Sequence, residues 1–113
     1  MSSTGRTDFE VEVTQSENTF IVRPKGDVVF GFSARKFKKE LSRLNRRDLP
    51  NIQKVNLDFQ QVAYIDSTGI GVLIQLHNMM EAEGVELVFT NLNEVVKDIL
   101  ELVALDQCFK VED

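Results

Sequence analysis

From residue 33 onward the spacing of the apolar residues changes period again and again, and this alternation most constrains what the chain can become. Ala34, Phe37, Leu41 and Leu44 recur at intervals of three and four, the spacing of one helix face. Ser33 can cap that helix, and Arg46-Arg47-Asp48-Leu49-Pro50 closes it, since proline cannot continue a helix. KVNLDF at 54–59 then sets Val55, Leu57 and Phe59 against Asn56 and Asp58, the period-two pattern of a strand, which we place centrally. Ser67 to Glu83 carries Ile70, Leu73, Ile74 and Met80 along one side and meets Gly84, a suitable helix stop. VELVFT reads as a further strand. Asn93 can cap EVVKDILELV, whose Val95, Val96, Ile99, Leu102 and Val103 form another helical stripe before the short tail QCFKVED.

Upstream the period is two. Phe9, Val11 and Val13 alternate with Glu10, Glu12 and Thr14, predicting a strand over about 8–14. The turn formers Gln15-Ser16-Glu17-Asn18 lead into TFIVRPKG, a second strand ended by Pro24 and Gly26, so the pair reads as a hairpin. A hairpin followed by helix, strand, helix, strand, helix implies parallel crossovers of right-handed sense. The expected fold class is therefore α/β, a mixed, mostly parallel sheet of about four to five strands with helices packed on it. No linker, repeat or low-complexity segment interrupts the series, so residues 1–113 read as one domain with a flexible N-terminus over 1–7.

Composition narrows the function classes. With 42% hydrophobic and 27% charged residues the chain is neither disordered nor fibrous. A net charge of −5 argues against direct nucleic-acid binding, which needs a clustered basic surface on the phosphates. One basic cluster does exist: Arg35, Lys36, Lys38, Lys39, Arg43, Arg46 and Arg47 lie between Ser33 and Arg47. It is either a solvated helix face or a docking face for an acidic partner or anionic lipid. The N-terminus shows no signal-peptide pattern, and no apolar run reaches the length of a membrane span. The single cysteine, Cys108, suits a reducing compartment and reads as a small buried hydrophobe. A cytoplasmic location without metal or cofactor is expected.

Asp66-Ser67-Thr68-Gly69, at the start of a helix, invites several readings. A catalytic serine needs a base within hydrogen-bond reach, yet the one histidine, His77, lies ten residues along the same helix, roughly 15 Å away. It reads as a boundary histidine. An aspartic-protease loop would need a second copy and a β setting. Gly69 and Gly71 without a P-loop lysine support a nucleotide site only weakly. Two readings remain. Asp66 or Ser67 caps the helix, or Ser67 is a kinase acceptor at which phosphorylation adds about −1.5 to −2 charges. Asp66, and Asp58 if its strand brings it near, would repel that phosphate, changing the local surface potential with little refolding and expelling a packed partner.

The run Val55-Asn56-Leu57-Asp58-Phe59, Val62 and Tyr64-Ile65-Asp66-Ser67-Thr68-Gly69-Ile70-Gly71-Val72-Leu73 closely resembles the STAS domain signature of bacterial anti-sigma factor antagonists. Gly26-Asp27, Gly84-Val85-Glu86-Leu87 and Leu102 to Phe109 support the resemblance over nearly the whole chain. It implies partner switching. Such a protein, unphosphorylated, binds an anti-sigma factor that is itself a serine kinase of ATPase fold, freeing the sigma factor; the kinase phosphorylates the serine after the motif aspartate, here Ser67, and a metal-dependent serine phosphatase reverses it. The chain would be a protein substrate and not an enzyme.

The resemblance makes Asp66, Thr68, Gly69 and Gly71 neighbours of the acceptor, with the glycines keeping the helix start open to a partner, and these four together with Asp27, Asp58, Gln75 and Asn78 are the expected partner-binding face. Thr68, Gly71, Gln75 and Asn78, at helical spacing, form a polar stripe that is either part of the contact face or plain solvent face. Where many family members carry Gly-x-Leu-Asp, this chain has Gly26-Asp27-Val28-Val29-Phe30-Gly31-Phe32. Asp27 can substitute at a shifted offset; the VVFGF segment is core or an altered docking loop, and we read it as core. The alternatives to sigma-factor control are a STAS interaction subunit of a lipid-transport or sensory assembly, and a nucleotide-binding sensor.

Overall fold

The computed structural model describes residues 9–43, 52–103 and 110–112. Five strands and three helices follow one another as β1 (Glu10–Ser16), β2 (Thr19–Lys25), α1 (Phe32–Ser42), β3 (Lys54–Asp58), α2 (Ser67–Glu83), β4 (Glu86–Thr90), α3 (Glu94–Leu102) and β5 (Lys110–Glu112). The strands lie in the sheet in chain order. β1 and β2 form the expected antiparallel hairpin around Glu17-Asn18, and β2 to β5 run parallel, with β3 in the middle.

Alternation decides what is buried in β2 and at the start of β3, where Phe20, Val22, Val55 and Leu57 are buried and Ile21, Arg23, Lys54 and Asn56 are half-buried, whereas in β4 Leu87, Val88 and Phe89 are all buried. Phe9, Phe37, Phe59 and Phe89 make a row of ring contacts through the core, with centroids 6.2, 6.4 and 5.2 Å apart in succession. Edge-on and tilted aromatic pairs of this kind add to the area they bury.

Several expectations need correction. Pro24 sits inside β2, tolerated because ladder pairing with β3 stops at Val22. Ser33 does not cap α1: the cap position is Gly31, and the Ser33 hydroxyl turns back to accept from the Val29 amide and donate to its carbonyl, both at 3.0 Å. On α2, Leu73 and Met80 are buried as expected, Ile70 is half-buried, and Ile74 is exposed. On α3 the inward residues are Val96 and Leu100, whereas Val95, Leu102 and Val103 face solvent. The short tail, given no element from its sequence, contributes β5, held on β4 by the ladder and by Lys110 Nζ on Glu86 at 3.1 Å. Leu44, Arg46, Arg47 and Cys108 lie outside the described residues.

Gly84 ends α2 in the left-handed conformation, φ 72°, a geometry that costs glycine nothing. Its carbonyl neighbours in the last turn are satisfied by its own amide on Met80 and Glu81.

Candidate functional site

Two connections meet at the N-terminal end of α2. One, Gly26 to Gly31, follows β2; the other, Gln60 to Asp66, follows β3. They are laced side by side: Gly26 N donates to Gln61 O at 3.0 Å, Val28 N to Tyr64 O at 3.1 Å, and Asp66 N to Val28 O at 3.3 Å. Asp27 adds a side-chain tie, its carboxylate accepting from Ala63 N at 3.3 Å. Val28 and Ile65, both fully buried, seat this double strap in the core.

Asp66 locks the arrangement. One carboxylate oxygen accepts from Gly69 N at 3.0 Å, capping α2; the other accepts from Phe30 N at 3.0 Å on the opposite strap. Burial pushes this carboxyl up, but the amides of Phe30, Gly69 and Thr68 outweigh it and hold it below the ordinary carboxylate value. Of the two cap candidates the structure selects Asp66. Ser67, the next residue, begins the helix exposed, and no described residue hydrogen-bonds to its hydroxyl. Thr68 beside it is exposed as well.

The two glycines have different parts. A Cβ on Gly69 would run into the Val28 carbonyl oxygen and come within 2.6 Å of Ile65 Cγ1, so glycine lets the helix sit directly on the strap. Gly69 is thus buried, a correction to its expected place on an outward contact face. Gly71 meets nothing within 4 Å and leaves the outer side of the first turns bare. Gln75 and Asn78 continue that side as exposed residues, so the stripe from Thr68 is open to solvent. His77 lies at the boundary, 3.9 Å from Glu81 on its own helix.

Asp58 also departs from the contact face expected for it. It is 7% exposed, because β3 is the central strand and its carboxylate is claimed on all sides. Arg23 Nε donates to it at 3.0 Å, Asn91 Nδ2 at 2.9 Å and Gln60 N at 3.0 Å. Burial pushes its carboxyl up, and Asn91, Gln60 and Arg23 together bring it below the usual range. Its work is to close the end of the sheet beneath the site.

Two residues of the site were missed from sequence. Asn93 does cap α3, accepting from Val96 N at 2.8 Å, but its amide also donates to Val62 O and Ala63 O, each at 3.2 Å. It pins the strap before Asp66 to a third helix. The other is Phe30. The VVFGF segment divides: Val28 is core, whereas Phe30 is 79% exposed. Tyr64, on the facing strap, is 47% exposed, so an aromatic ring stands on each connection leading to Asp66-Ser67. The only sequence signal for Phe30 was an apolar residue next to Gly31.

Among the described residues no group of three or more His, Cys, Asp or Glu is placed to hold a metal, and no helix is long and apolar enough to cross a membrane. What the geometry offers is a rigid strap with a free hydroxyl on top, beside an open helix face. A mixed, mostly parallel sheet carrying such a capped helix start defines a small α/β domain that presents a surface.

The chain belongs to the STAS domain family, whose model matches residues 10–113. Its fold is similar to that of an anti-sigma factor antagonist from Mycobacterium paratuberculosis, at 14% identity and a TM-score of 0.80, over 98% of this chain and 89% of that one. It is similar to the Bacillus cell fate determinant SpoIIAA in its phosphorylated form, at 14% identity and a TM-score of 0.67, over 93% and 91% of the two chains. A sulfate transporter family protein from Wolinella succinogenes shares the fold as well, at 17% identity and a TM-score of 0.73, over 87% and 79%.

Proposed function

We propose that this chain is an anti-sigma factor antagonist working by partner switching. Unphosphorylated, it binds an anti-sigma factor with serine kinase activity and an ATPase fold; phosphorylation of Ser67 releases it, and a metal-dependent serine phosphatase restores it. The observation that carries this reading is the division of labour between neighbours. Asp66 does the structural work of the cap, which leaves Ser67 exposed, its hydroxyl without a hydrogen-bond partner among the described residues. A phosphate added there joins a carboxylate already held ionised by three amides, so charge accumulates on a surface that does not need to refold. Thr68, Gly71, Gln75 and Asn78 are the contact stripe for the partner, with Asp27 holding the strap beneath.

Incubation of the chain with the host's anti-sigma kinase and ATP tests this. Intact-mass analysis should show a single phosphate on wild type and none on Ser67→Ala. A phosphate on another residue, or none, would refute it. The fold shared with a sulfate transporter family protein supports a second reading, a STAS subunit of another assembly, under which Ser67 stays unmodified.

A further inference from the structure

Helix α1 carries a charged face that the switch does not use. Ala34, Phe37 and Leu41 bury its inner side, so the helix is anchored and its cations are turned outward. Five of the chain's thirteen Lys and Arg fall between residues 35 and 43, in a chain whose net charge is −5. The one acid among them, Glu40, is occupied by Lys36 at 3.8 Å and Arg43 at 3.5 Å. Arg35, Lys38 and Lys39 are exposed and form no ion pair among the described residues. Phe32, Arg35, Lys36, Lys39, Glu40 and Arg43 line an open hollow of about 450 Å³, four cations and one paired acid around a half-buried ring.

Just before the helix stands Phe30, 79% exposed on a turn whose backbone Asp66 holds at 3.0 Å. A phenyl ring in water, on a backbone held in place just ahead of a row of cations in the chain, is the combination that an anionic bilayer satisfies. The cations meet phosphate headgroups, and the ring enters the interfacial layer. An acidic segment without apolar residues would answer the cations but leave the ring in water.

We propose that the outer face of α1, with Phe30 at its head, is a peripheral docking site for an anionic phospholipid surface. Each cation near such a surface contributes about fivefold to binding. The test is co-sedimentation of the full chain with vesicles of phosphatidylcholine, with and without phosphatidylglycerol. Binding should require phosphatidylglycerol, fall as salt is raised, and weaken roughly 25-fold in Arg35→Gln/Lys39→Gln. Phe30→Ser should weaken it several-fold while leaving the salt dependence intact. Both variants alter exposed side chains, so an unchanged melting temperature verifies their folding. Equal binding to both kinds of vesicle, no binding to either, or a double variant that binds like wild type would overturn the proposal. Displacement by inorganic phosphate at constant ionic strength would make the hollow a small-anion site, and equal binding to immobilised polyglutamate would make it an acidic-protein site; either result also overturns it.

Discussion

Replacing Gly69 and Gly71 separately by alanine should move stability in opposite directions. A Cβ at Gly69 collides with the Val28 carbonyl oxygen and comes within 2.6 Å of Ile65 Cγ1 and 3.0 Å of Val28 Cγ1. That carbonyl cannot retreat cheaply, because it accepts the Asp66 amide at 3.3 Å. Overpacking of this kind costs about 1–3 kcal/mol, and alanine's helical advantage over glycine returns at most about 1 kcal/mol. With a backbone oxygen as the obstacle the overpacking cost falls in the upper part of its range, about 2–3 kcal/mol, so the net loss is about 1–2 kcal/mol, on the order of 1 M in urea midpoint for a chain of this size. At Gly71 an added Cβ meets nothing within 4 Å, so only the helical gain remains, about 0.5–1 kcal/mol. Urea titrations followed by circular dichroism measure both. A Gly69→Ala protein as stable as wild type would refute the close seating of α2 on the strap.

Other outcomes follow from the same contacts. Asp66→Ala removes a helix cap and the bond to Phe30 and should cost about 2 kcal/mol in the same titration, whereas Ser67→Ala should stay within about 0.5 kcal/mol. Asn93→Ala should lose about 2 kcal/mol, since cap and strap ties go together. The Asp58 and Asp66 carboxyls are both lowered in the folded chain, so their contribution is complete above the unfolded carboxylate value, about 3.9, and is lost as pH falls through the folded values. Stability measured between neutral and acid pH should therefore decline below about pH 4, and Asp58→Asn should flatten that decline. A decline of equal steepness in Asp58→Asn would count against the Arg23 and Asn91 partnership.

Elements with a strong period were legible in the sequence, and features set by distant partners were not. The helix from Ser67 to Glu83 ends at Gly84 as its pattern implies, because cap, stripe and stop lie within one segment. The three residues of β5 carry no such signal; they become a strand only through the ladder offered by β4. Asp58 alternates like a surface residue, yet it is buried by Arg23 from β2 and by Asn91 beyond β4. Spacing along the chain does not encode such pairings. Ser33 has the residue type of a cap, but Gly31 takes the position. The prominence of Phe30 depends on the lacing of two connections whose tie, Asp66, is 36 residues further on.

The claim that Ser67 is a switch faces its most direct test in retention of partners from the native host's lysate by immobilised wild type, Ser67→Ala and Ser67→Asp. The account predicts that wild type and Ser67→Ala retain the same anti-sigma kinase and that Ser67→Asp does not. Equal retention by all three would contradict it and leave the helix start a constitutive contact surface.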